Sequence, residues 1–92
     1  NITFSIELEN SGEFIILTKK QIFNFFKSSD QYGVTIYNLK QISSFTIIPP
    51  RNEIAGKFII NFTNSELKIS ITSLTDYFSL LLLYEQLNKE IL

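Results

Sequence analysis

Ninety-two residues carry 9 acidic and 8 basic side chains, a formal charge of −1 and no His, Cys, Met or Trp, which bounds the chain to a single small, near-neutral domain. Without Cys there is neither a disulfide framework nor a thiolate metal site, and without His the common zinc sites and imidazole acid–base chemistry are excluded. A slightly acidic domain lacks the overall field that draws in nucleic acid or anionic lipid, and no apolar run reaches the roughly 18 residues of a membrane span.

The segment from Ile2 to Glu9 alternates strictly, with Ile2, Phe4, Ile6 and Leu8 on one side and Thr3, Ser5, Glu7 and Glu9 on the other. A period of two with one polar face predicts a half-buried strand. Asn10, Ser11 and Gly12 form a turn cluster suited to a hairpin. A second strand, Glu13 to Thr18, is apolar on both faces, and Lys19, Lys20 and Gln21 interrupt it before a third, Ile22 to Lys27.

Ser28 to Gly33 reads as a polar loop, Val34 to Tyr37 as a fourth strand, and Asn38 to Gln41 as a tight connection anchored by Leu39. A fifth strand, Ile42 to Ile48, stops at Pro49 and Pro50, which cannot continue a ladder. Pro49 to Gly56 is the longest loop and holds the only arginine, Arg51, and an apolar Ile54. A sixth strand, Lys57 to Thr63, and an alternating seventh, Glu66 to Thr72, flank an Asn64–Ser65 turn.

The period then changes from two to 3.6. Ser73 suits an N-cap, with Asp76 three residues on as in a capping box and near the positive helix end. Leu74, Tyr77, Leu80, Leu81, Tyr84, Leu87 and Ile91 form one broad stripe, predicting a helix from about Leu74 to Ile91. No gap between strands holds a crossover helix, so the sheets are expected to be antiparallel, and the helix is expected to plug an open end between them. The expected core is Phe4, Ile6, Leu8, Ile16, Ile36, Ile42, Phe58, Ile60, Leu67, Ile69, Ile71, Tyr77, Leu81, Tyr84 and Leu87.

Seven antiparallel strands followed by one terminal helix resemble the pleckstrin-homology superfold. The run Gly12–Ile22, GEFIILTKKQI, is similar to the glycine, apolar strand, Leu-Thr, basic pair and apolar signature of GRAM and bacterial PH-like domains. The run Thr35–Phe45, TIYNLKQISSF, is similar to their segment with apolar residues at every third position. The resemblance covers nearly the whole chain. It implies a PH-like, partly open barrel of about seven strands capped by the helix, in a mainly β domain. It implies binding of phosphoinositides, peptides or other proteins, or a scaffolding role, since fold alone does not fix function. Lipid-binding members place several Lys and Arg around the first hairpin, where this chain has Glu9 and Glu13.

Chemistry beyond the fold is sparse. Glu7 and Glu9, with Glu13 across the hairpin, could hold a cation, but a solvated strand face is the simpler reading. The three glycines are isolated, so there is no phosphate loop, and Ser and Thr have no base to activate them. No enzyme and no cofactor are expected; catalysis would need residues from another domain or subunit.

On the helix, Phe78 and Leu82 fall well away from the stripe, on the side that carries Glu85 and Lys89. A helix packed on one barrel needs no Phe or Leu on its far side. One reading is partial burial under loop residues such as Ile54, or tolerated exposure; the other, carried forward, makes these four residues the partner-binding surface, for another protein or a second copy. The alternative is an anionic membrane surface held by Lys19, Lys20 and Lys27, with Tyr32 beside them. The leading expectation is a non-catalytic protein-binding or scaffolding module that binds no nucleic acid. It is expected in the cytoplasm, including the membrane surface, and, because the first residue is Asn, as a domain cut from a longer chain or a processed product.

Overall fold

A computed structural model describes residues 1–91. The strands are β1 (Ile2–Glu7), β2 (Phe14–Thr18), β3 (Gln21–Ser28), β4 (Gln31–Asn38), β5 (Ile42–Ile48), β6 (Gly56–Phe62) and β7 (Glu66–Ile71), followed by helix α1 (Leu74–Ile91). The domain is mainly β. Strands β1 to β4 form one antiparallel sheet in sequence order and β5 to β7 a second, and the two do not close into a full barrel. Helix α1 packs against β1 and β7, the edge strands of the two sheets, and so seals the seam between them as the sequence predicts.

Local chemistry explains most boundaries. Gly12 has φ +71°, the left-handed region open to glycine, and closes the first hairpin with its N–H on the Leu8 carbonyl at 2.9 Å. Thr18 Oγ1 accepts from the backbone of Lys20 and Gln21 at 3.3 and 3.0 Å, turning β2 into β3. Asn38 Oδ1 accepts from Lys40 N–H at 3.0 Å and starts a single 3-10 turn, Leu39–Gln41, whose Leu39 is buried. A methyl group at Gly56 would collide with the Ile48 carbonyl oxygen and lie 2.7 Å from the Pro49 carbonyl carbon, so only glycine lets the chain pass there.

The structure corrects the sequence in four places. The expected loop from Ser28 to Gly33 is a tight turn, and Gln31, Tyr32 and Gly33 join β4. Gly33 pairs with Phe26, whose ring lies so close that a Cβ at Gly33 would be 2.7 Å from Phe26 Cζ; the missing side chain makes room for the ring. Ile36, expected in the core, is 53% exposed, and Ile16 is half-buried while Ile15 and Leu17 on either side are buried.

The helix stripe is also rotated. Asp76, Leu80, Leu83 and Leu87 are its buried residues, Leu81, Tyr77 and Tyr84 are only half-buried, and Leu74 and Ile91 are exposed. The remaining expected core residues, from Ile6 and Leu8 to Ile71 and Leu87, are buried, with Phe4 and Ile42 partly so.

The fourth correction is Asp76, which is not a capping-box residue. Ser73 does cap the helix, accepting Asp76 N–H at 3.1 Å. The Asp76 carboxylate, however, accepts from the backbone of Glu9 at 2.8 Å and Asn10 at 3.3 Å, tying the first hairpin to the helix start. The Asn10 side chain adds a bond to Thr72 Oγ1 at 2.6 Å.

Candidate functional site

The pleat sends residues i and i+2 of a strand to the same face, so the register of the four-stranded sheet defines its two surfaces. Inward, Phe4, Leu17, Ile22 and Tyr37 form one cross-strand row and Ile6, Ile15, Asn24 and Thr35 another. Outward, Ser5, Ile16, Phe23 and Ile36 form one row and Glu7, Phe14, Phe25 and Val34 the next, with Lys27 opposite Tyr32 beyond them. Across β3 and β4 the usual order is therefore inverted: Asn24 and Thr35 face the interior, while Phe23, Phe25, Val34 and Ile36 face away from it.

Parity of the neighbouring segments forces this inversion. Tyr37 stacks on Phe62 with ring centroids 4.5 Å apart, and its hydroxyl donates to the Glu66 carbonyl at 3.4 Å. Burial raises the pKa of the Tyr37 phenol above its usual value. With Tyr37 and Leu39 inward, Val34 and Ile36 must point outward. Inside, Asn24 is buried; its Nδ2 donates to Glu13 Oε1 at 3.2 Å, and its Oδ1 has no hydrogen-bond partner among the described residues.

The result is a contiguous apolar surface outside the core. Phe14 and Phe25 pack at a centroid distance of 6.2 Å, Phe23 and Phe25 at 6.5 Å, and Lys27 Nζ lies 5.4 Å from the Tyr32 ring centroid. Phe14 and Phe25 are a little over a third exposed, Val34 and Ile36 about half and Tyr32 mostly so, so the exposed apolar surface is of the order of a few hundred Å². That is the size of the largest patch a monomer usually shows, and such patches are often functional. Sequence reasoning missed this surface. Its signal was the apolar character of both faces of β2 and β3, since a strand in a two-layer domain has only one core face.

The expected helix surface lies where the spacing put it. Phe78, Leu82, Glu85 and Lys89 are all exposed on α1, and Leu74 extends the same side. Ile54 does not serve as its cover, being 71% exposed itself.

The expected lysine trio does not assemble. Lys19 and Lys20 sit in the β2–β3 turn and share an open cavity of about 730 Å³ with Lys40, Leu39, Ile42 and Glu90. Lys27 is at the opposite end of β3, about 20 Å away along the strand. The acidic trio also separates: Glu13 turns to Asn24, while Glu7 and Glu9 stay exposed. Comparison with known protein families, curated proteins and solved structures gives no match.

Proposed function

We propose that the chain is a non-catalytic, PH-like binding module that works through protein contacts made by the outer face of its four-stranded sheet. The observation that carries this reading is the pair of apolar rows on that face, with side chains large enough to anchor a contact. The order of four strands, three strands and a sealing C-terminal helix supports the PH-like assignment. The exposed Phe78 and Leu82, rimmed by Glu85 and Lys89, offer a second, narrower contact on α1. A cytoplasmic setting, including the membrane surface, fits a module of this kind.

A membrane role is the second reading, favoured by the cavity that brings Lys19, Lys20 and Lys40 together. Co-sedimentation with neutral and with phosphatidylserine-containing vesicles separates the two. On the protein-contact reading the chain stays in the supernatant with both, and cross-linking in cells traps a protein adduct with the natural chain but not with Phe25→Lys/Ile36→Lys. Salt-sensitive binding to the anionic vesicles alone, lost in Lys19→Gln/Lys20→Gln/Lys40→Gln, would transfer the function to the cationic end.

A further inference from the structure

The two sheets have four edge strands, and three of them are protected. β1 carries a bulge between Ile2 and Phe4, ends in Glu7 and lies against α1. β5 carries a bulge between Ile42 and Ser44 and is stopped by Pro49. β7 exposes Glu66 and Lys68. Charges, bulges and proline are the devices by which proteins blunt an edge against pairing.

β4 has none of them. Its eight residues, Gln31 to Asn38, include no charge and no proline, and its ladder with β3 runs without a shift from Gln21–Asn38 to Ser28–Gln31. Among the described residues only β3 is laddered to it, and no backbone hydrogen bond from residues 31–38 leads to another element. Half of its N–H and C=O groups therefore face outward along a straight edge, a template for another strand.

We infer that β4 pairs antiparallel with β4 of a second copy of this chain, joining two four-stranded sheets into a continuous eight-stranded one. The inference rests on the protein-contact reading and names the partner. The edge is self-complementary. With the two-fold axis at Val34, Val34 lies opposite Val34 of the other copy, and Tyr32 lies opposite Ile36 in both directions, an aromatic–β-branched pair of the kind that stabilises sheets. No charge is brought against a like charge, because the strand has none. The apolar rows of the two outer faces become one surface across the axis.

Seven paired residues make a strip about 23 Å long. Edge pairing alone buries less than the roughly 800 Å² per partner of a standard interface. The dimer is therefore weak and reversible.

The chain has no cysteine, so single-cysteine variants report geometry without background. In the paired dimer the Cβ atoms at position 34 are about 5 Å apart, whereas those at position 14, five strand spacings from their counterparts, are about 24 Å apart. Oxidation of Val34→Cys should give a covalent dimer and Phe14→Cys should not. In sedimentation velocity, Val34→Lys should weaken self-association at least tenfold with an unchanged circular dichroism spectrum. Efficient cross-linking of Phe14→Cys would mean that copies stack face to face and would overturn the edge pairing. A chain that stays monomeric to about 1 mM would also overturn it. That result would leave the protein-contact reading standing, since that reading is tested separately, by vesicle binding and by whether the outer face is covered in the cell.

Discussion

Single residues decide how the pieces are held. Asp76 is 4% exposed, yet its carboxylate is satisfied by the backbone N–H groups of Glu9 and Asn10, which gives a buried charge a structural use. Asp76→Ala leaves both donors without a partner and should cost about 2–4 kcal/mol in chemical unfolding, against about 1 kcal/mol for an ordinary cap. A loss below about 1 kcal/mol would show that water replaces the carboxylate and that the hairpin is not tied through it. Asp76 was legible in sequence as a residue of the first helical turn, but not as a tether. Its partners are more than sixty positions away in the chain, and no local pattern records them. Gly33 was misread for a similar reason: a glycine next to polar residues signals a loop, and the Phe26 ring that makes it a strand residue is supplied from across the ladder.

At the scale of elements, type and order were readable and orientation was less so. The strands and the helix follow from period two and period 3.6, and the fifth strand and the helix bounds agree with the expected ones. Faces were correct in β6, in β7 and in β1 from Phe4 onward, where polar and apolar residues alternate, while the bulge before Phe4 leaves Ile2 64% exposed. They failed where both faces are apolar, in β2, and where both alternating sets are plausible, in β4: Val34 and Ile36 are better core residues by composition than Thr35 and Tyr37. Tertiary stacking of Tyr37 on Phe62 sets the parity instead.

The helix stripe slipped by part of a turn because a run of four leucines, Leu80 to Leu83, gives no local preference. Leu83→Ala, at a buried position, should cost about 2–5 kcal/mol. Phe78→Asp/Leu82→Asp, on the exposed side, should change stability by less than about 1 kcal/mol. Equal losses in the two variants would mean that both sides of α1 are packed.

At the scale of the molecule, the core and the surface answer different questions. The interior is accounted for by Leu, Ile and Phe side chains from both sheets and one face of α1. The outer face of the four-stranded sheet adds two further apolar rows that contribute little to that interior. Their exposure on a small, near-neutral domain is the reason the proposed contact surface is placed there. The candidate site was half legible in the sequence: Phe78 and Leu82 stood out because helical spacing separates them from the stripe. The sheet face did not, because its residues are indistinguishable from core until register assigns them a side.

The most direct measurement is hydroxyl-radical footprinting of the chain in the cells that make it, compared with the dilute purified protein. Phe14, Phe25, Tyr32 and Ile36 are expected to lose reactivity in the cell, while Ile54, exposed in the β5–β6 loop, keeps it. Equal labelling of the four residues in both settings would contradict the account, and protection of Phe78 and Leu82 alone would move the contact surface to the helix.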